Sequence, residues 1–171
     1  LKLDVRAEKA ILVNADNGTV LFEKNADEIA YPASTTKVAT AWYILEKYAH
    51  RINEQAVVSR EAVAYSPVNL KRSNTPGHPS YRLEARATNM HLQPREVIPV
   101  RTLLYGLMLV SANDAANVLA EHLCGTIDNF MEELNSFLAE RGIENTSLTN
   151  PGGFHHANHR TTARDMALIA S

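Results

Sequence analysis

Apolar residues follow two periods along this chain. Near its start, Ala10-Ile11-Leu12-Val13 and Thr19-Val20-Leu21-Phe22 are short β-rich runs. Asp16-Asn17-Gly18 between them supplies the positive-φ residues of a tight hairpin turn. The runs are nearly continuous in apolar residues, which predicts cover on both faces. After Pro32 the period changes. Val38, Ala41, Trp42 and Leu45 recur at steps of three and four and predict a helix ending near His50. Gln55-Ala56-Val57-Val58-Ser59 reads as a short edge strand, and Val97-Ile98-Pro99-Val100 as an extended piece entering a helix. Leu103, Leu104, Leu107, Met108 and Val110 make that helix the most apolar of the chain, expected to be buried on most sides. It stops at Ser111-Ala112-Asn113-Asp114. A second helix runs from Ala115 to Leu123 and closes at Gly125. A third runs from Asp128 to Arg141, with Phe130, Leu134, Phe137 and Leu138 inward and Gly142 as its stop. Asn150-Pro151-Gly152-Gly153 is a hard turn, and Thr162-Ala163-Arg164-Asp165 opens a last helix with a capping-box pattern.

Residues 64–92 break this order. Pro67, Pro76, Pro79 and Gly77 interrupt regular structure, while Lys71, Arg72, Arg82 and Arg86 outweigh Glu84. Such a basic, loop-rich insertion is either solvated surface or a contact for an anionic polymer or lipid. The formal net charge of −2 gives no global case for nucleic acid or an anionic membrane. With 171 residues the chain is about one domain. Its 45% apolar and 21% charged residues are enough for a core and argue against disorder. The single Cys124 excludes an internal disulfide and is expected to be a buried structural thiol. No apolar run reaches the length of a membrane span; Leu103 to Val110 is interrupted by Tyr105 and Gly106. There is no initial Met, and Leu1 to Glu8 alternates charged and apolar residues, as a mature chain does after processing.

Two stretches carry candidate chemistry. In Tyr31-Pro32-Ala33-Ser34-Thr35-Thr36-Lys37, Pro32 suits a helix start, and Ser34 lies where free N–H groups and the dipole favour negative charge. Lys37 follows one turn later on the same face. One reading is an N-cap serine and a surface lysine. The other is a nucleophile and its base: a serine hydroxyl needs a neighbour to take its proton, and a desolvated lysine can do so. Lys37 opposes the macrodipole at this position, a local violation of the kind found at functional sites. In Ser111-Ala112-Asn113, a hydroxyl and an amide two residues apart would point to one side of an extended piece. That suits a proton relay beside an amide that grips a substrate backbone; the alternative is a polar loop with Asp114 as an N-cap.

Taken together these stretches resemble the low-molecular-weight penicillin-binding proteins, serine D-alanyl-D-alanine carboxypeptidases. The hairpin Ala10–Asn25, the Asn25-Ala26-Asp27 crossing and Pro32-Ala33-Ser34-Thr35-Thr36-Lys37 follow the family pattern in order. So do Leu103-Leu104-Tyr105-Gly106-Leu107-Met108, Ser111-Ala112-Asn113-Asp114-Ala115-Ala116, and Asn150-Pro151-Gly152-Gly153 with His159 and Asp165 downstream. Residues 64–88 look like an addition, and Arg95 stands where the family often has glycine. The resemblance implies an α/β (α+β) fold of the serine DD-peptidase/β-lactamase-like kind, an antiparallel sheet with an all-helical region. It implies Ser34 as the acylated nucleophile, Lys37 as its neutral base, Ser111 as the relay to the leaving group, and Asn113 as a partner for Lys37 and the bound peptide. The implied substrate is a peptidoglycan stem peptide ending in D-Ala-D-Ala, with β-lactam antibiotics as covalent inhibitors. It also implies an extracytoplasmic place in the bacterial cell envelope after signal-peptide removal, with no cofactor and no nucleic-acid partner.

Three activities fit: a carboxypeptidase, a D,D-endopeptidase of cross-links using the same residues, and a penicillin-binding sensor or wall-docking module without turnover. Glu132-Glu133-Leu134-Asn135 resembles the Glu-x-x-Leu-Asn element of class A β-lactamases, but Met131 stands where the Glu is needed, and both glutamates read as a solvated face. His155, His156 and His159 follow Gly-Gly, off any helix and without a carboxylate at ligand spacing, so no metal is expected. No Lys-Thr-Gly, nor an Arg- or His-initiated form of it, occurs in the chain. In the family that motif closes the third wall of the site. An isolated two-stranded sheet is marginal in water. Residues 1–171 are therefore expected to be the N-terminal portion of a catalytic domain, with 64–92 as an insertion, completed by a missing C-terminal segment or second fragment.

Overall fold

The computed structural model describes residues 3–67 and 78–171. The structure opens with an antiparallel hairpin, β1 (Ala10–Val13) and β2 (Val20–Lys24), in register Ala10 to Lys24 and Leu12 to Phe22. Its turn is wider than a two-residue hairpin. Asn14 and Thr19 close it by a backbone bond of 2.8 Å, and of the three residues Asp16 to Gly18 only Gly18 takes a positive φ, +71°. One face of β1 packs on the last helix. On the other face Leu12 is exposed, and Val20 and Leu21 at the bulge opposite Val13 are exposed as well, so the expected cover on both faces is incomplete among the described residues.

A 3-10 turn, Ala33–Thr35, leads into α1 (Thr36–Tyr48), followed by a second 3-10 turn, Ala49–Arg51. The predicted edge strand is β3 (Gln55–Val57). It pairs antiparallel with β4 (Val97–Pro99), the predicted extended piece, which runs straight into α2 (Val100–Leu109). Then come α3 (Asn113–Cys124), α4 (Ile127–Ala139) and α5 (Ala163–Ala170).

The core is the meeting of α1, α2, α3 and α4. Helix α3 lies at its centre, because Ala115, Ala116 and Ala120 have no exposed surface and let neighbouring backbones come close. Phe130, Leu134, Phe137 and Leu138 of α4 face inward as the 3.6-residue period predicts. Helix α2 is less buried than its composition suggested: Leu103, Leu104 and Leu107 face the core, but Tyr105, Met108 and Leu109 face outward.

Residues 79–92 are no detached excursion. Tyr81, Leu83 and Leu92 are buried. The carboxylate of Asp114, in the first turn of α3, accepts from the N–H groups of Met90 at 2.9 Å and Leu92 at 3.1 Å. Ser80 Oγ donates to Thr149 O at 2.7 Å. The described flanks of the insertion thus brace two walls of the molecule. Arg82 pairs with Glu61 at 2.9 Å, and Arg86 is exposed, whereas Lys71, Arg72, Pro76 and Gly77 lie outside the described residues. Arg95 adopts φ +74°, a left-handed conformation that explains glycine at such a position.

Candidate active site

The site forms where three segments distant in sequence converge: the start of α1, the start of α3, and residues 149–153. Ser34 sits in the middle of the 3-10 turn with its side chain exposed, and makes no cap bond to α1. Lys37, one turn on, is 2% exposed. Both halves of the cap-and-surface reading fail on these two facts.

Lys37 Nζ has three partners. It lies 2.5 Å from Gly152 O, 3.0 Å from Asn113 Oδ1 and 3.4 Å from Ser34 Oγ. The first two are acceptors only. A free amine has two hydrogens and one lone pair. If the hydrogens go to Gly152 and Asn113, the lone pair faces the one partner that can donate, the Ser34 hydroxyl. Burial makes the free amine accessible by pushing the Lys37 pKa down from 10.5 to about 8.

The surroundings hold this geometry. The amide of Asn113 is oriented by Thr88 O, which accepts from Nδ2 at 2.9 Å and from the Asn113 backbone N–H at 3.0 Å. Asn150 Oδ1 accepts from the N–H groups of Gly153 and Phe154, and Thr40 Oγ1 donates to Pro151 O at 2.9 Å. Gly153, at φ +90°, approaches so close that a Cβ there would stand 1.9 Å from Ala33 O and 3.0 Å from Ser34 N. A Cβ on Gly152 would stand 2.6 Å from Asn113 Oδ1. These two glycines let the 149–153 segment press against the turn that carries Ser34. Ala33 itself is held at φ +48°, an uncommon conformation for a residue with a side chain.

Ser34, Lys37 and Asn113 are thus brought together. Ser111 is not joined to them by a hydrogen bond among the described residues. It is half-buried at φ +57°, left-handed rather than extended, so the expected same-side alignment with Asn113 does not follow from strand geometry. Sequence reasoning missed Gly152 O, Thr40 and Thr88; two of the three act through backbone oxygens, which leave no trace in side-chain identity. Glu133 is exposed as expected, yet it accepts from Tyr43 OH at 2.5 Å and Tyr48 OH at 2.9 Å and is no free carboxylate. Cys124 is half-buried, 3.3 Å from Tyr48 OH, and burial foremost raises its thiol pKa. No metal-binding cluster occurs among the described residues.

A family model described as D-alanyl-D-alanine carboxypeptidase matches residues 1–171. The chain is 30% identical over 164 residues to D-alanyl-D-alanine carboxypeptidase DacF of Bacillus subtilis, covering 96% of this chain and 38% of the relative. It is 32% identical over 166 residues to DacA of Escherichia coli, covering 96% and 38%. Among solved structures, penicillin binding protein 5 of Haemophilus influenzae superposes with a TM-score of 0.83 at 27% identity, covering 99% of this chain and 45% of the other. DacD of Francisella tularensis does so at 0.82 and 26%, covering 98% and 37%. The chain spans about two-fifths of the length of the curated relatives it matches, as the 38% coverage of DacF and DacA shows.

Proposed function

Because this chain belongs to the D-alanyl-D-alanine carboxypeptidase family, with the α+β fold of its penicillin-binding members, we propose that it carries the nucleophile half of a serine D-Ala-D-Ala carboxypeptidase. The single observation behind this reading is the placement of Lys37: buried, with Nζ within reach of Gly152 O, Asn113 Oδ1 and Ser34 Oγ, so that the free amine can give its hydrogens to the first two and its lone pair to Ser34.

In the proposed reaction Lys37 removes the Ser34 proton while Oγ attacks the carbonyl carbon between the two D-alanines. The resulting oxyanion is met by the Ser34 N–H at the open end of the turn, where one such donor is typically worth about 3 kcal/mol of barrier. The C–N bond then breaks. The leaving nitrogen takes a proton from Lys37 by way of the Ser111 hydroxyl, and D-alanine departs. Asn113 holds the peptide with the Nδ2 hydrogen that Thr88 leaves free. Water attacks the ester and returns Ser34. A β-lactam follows the same first step and stays as a slow ester, since its leaving group remains tethered.

The substrate sets the place of action, the bacterial cell envelope. No helix among the described residues is long and apolar enough to cross a membrane. The open apolar face of β1–β2 supports further polypeptide packing there, and we assign to it the remaining wall and second oxyanion donor of the site. Residues 1–171 alone should then acylate about 10²–10³-fold more slowly than the full-length protein.

Intact-mass analysis after incubation with penicillin tests the reading. The full-length protein should gain one penicillin mass on Ser34, and Ser34→Ala should gain none. An adduct mapped to any other residue sinks the mechanism.

A further inference from the structure

His159 is a buried histidine that the acyl-transfer steps do not use. The residue is 1% exposed, and its ring joins two of the segments that build the site. Nε2 lies 2.8 Å from Thr36 Oγ1, on the residue beside Lys37. Nδ1 lies 3.0 Å from the backbone nitrogen of Thr149, at the head of the segment that presents Gly152 O to Lys37. A backbone N–H can only donate, so Nδ1 must be the unprotonated nitrogen and Nε2 must carry the hydrogen. The ring is therefore neutral and in one tautomer, and Nε2–H donates to Thr36.

We propose that His159 is a positioning residue for Lys37: its neutral Nε2–H tautomer clamps Thr36 of α1 to Thr149 and so fixes the distance from the Lys37 amine to Gly152 O. This role rests on the acyl-transfer reading above.

Three further observations support the clamp. The backbone that carries the ring is held locally, the His159 main-chain N–H donating to His156 O at 2.9 Å. Burial first, then the charges of His156 and His155, push the imidazole pKa down to about 4, so the neutral form persists throughout the range in which a lysine base works. Asp165, a buried carboxylate in the first turn of α5, is engaged elsewhere. It accepts from Asn145 N–H at 3.0 Å and Thr146 Oγ1 at 2.7 Å, leaving the ring without a counter-ion that would favour protonation. Loosening the clamp has a definite consequence. Residues 149–153 cover Lys37, so their retreat lets water reach the amine and its pKa climbs back toward 10.5.

The test follows Ser34 acylation by penicillin in the full-length protein, from about pH 5 to about pH 10, for wild type, His159→Gln and Thr36→Val. His159→Gln removes the acceptor for Thr149; Thr36→Val removes the oxygen and keeps the shape. Both should slow acylation per active molecule by about 10- to 100-fold at neutral pH. Both should also move the acid limb of the rate to higher pH. A merely structural role would lower the fraction of active protein and leave the rate per active molecule and the acid limb in place, and that result overturns the proposal. If neither variant folds, the wild type decides. Imidazole nitrogen shifts should show the Nε2–H tautomer down to about pH 5; an Nδ1–H tautomer, or titration near pH 7, rejects the clamp. Absence of any wild-type adduct on Ser34 overturns the acyl-transfer reading and this role with it. A labelled wild type with unchanged variants overturns this role alone.

Discussion

Lys37 is 2% exposed inside a knot of hydrogen bonds, whereas Leu12, Val20 and Leu21 on the hairpin are 42%, 41% and 42% exposed. The first region buries what water would hold well; the second shows water what a core would hold well. They differ in how the cost is met. In the knot buried polar groups find partners from other segments: Lys37 with Asn113 and Gly152, Thr40 with Pro151, His159 with Thr36 and Thr149. Breaking one of these bonds would leave an unpaired buried polar group, at a cost of about 1–3 kcal/mol. On the hairpin only the face against α5 finds apolar neighbours, Ala167 and Leu168 beside Ile11 and Val13. On its other face Leu12 stays exposed, though Lys24 Nζ there donates to Val5 O at 3.0 Å. The Ser34–Lys37–Asn113 cluster is thus held by segments of this chain, whereas the hairpin beside it leaves apolar side chains open among the described residues.

The sharpest way to break the comparison is to empty the knot. Lys37→Ala should lower acylation about 10³-fold or more, close to the loss from Ser34→Ala, because residues acting as a unit lose most of their effect with any one member. A Lys37→Ala protein labelled by penicillin at near wild-type rate would mean that another group takes the proton.

Gly153→Ala attacks the same region from its backbone. The new methyl would meet the Ala33 carbonyl at 1.9 Å, and backbone cannot swing aside as a side chain can. Acylation should fall about 10²-fold through displacement of the Ser34 turn. Normal rates in a folded Gly153→Ala protein would show that the turn and the 149–153 segment are not in register as described.

Solvent conditions test the knot without mutation. Lys37 must be unprotonated to act, so acylation should decline as pH falls through about 8, approaching tenfold per unit below it. The stability effect has a definite sign. The folded pKa lies below the ordinary value of 10.5, so the unfolded chain binds the extra proton between about 8 and 10.5, and stability from this group rises with pH across that window. An acylation rate that stays flat from neutral to mildly acidic pH counts against Lys37 as the base.

The smallest effect probes the other region. Leu12→Asp should cost the full-length protein about 2 kcal/mol in chemical denaturation if a covering segment buries this position there. A change below about 0.5 kcal/mol is what a solvent-facing position would give, and would leave the hairpin edge open in the full-length protein.

Much of this was legible from local pattern. The existence of α1, the phases of α3 and α4, the stops at Gly125 and Gly142, and the capping of α5 by Thr162, whose Oγ1 accepts from Asp165 N–H at 3.0 Å, depend on neighbours a few residues apart. The stripe Val38, Ala41, Trp42 and Leu45, by contrast, misjudges the phase of α1, which buries Lys37, Thr40, Ala41 and Ile44 and leaves Leu45 exposed. Asp165 fulfils only half of the capping box, its carboxylate turning to Asn145 and Thr146 instead. Ser34, Lys37 and Asn113 could be nominated because their side chains are chemically distinctive and recur in a known motif set. What the tertiary structure alone decided is different in kind. That Lys37 is buried, and that its third partner is the carbonyl of a glycine 115 residues away, could not be read from residue identities. Every residue carries the same carbonyl, and burial is a property of the assembled segments. The left-handed Ser111, the braced flank at residues 79–92, the single tautomer of His159 and the open face of the hairpin follow for the same reason. Each depends on which distant surfaces meet, and packing free energy, not local preference, selects that.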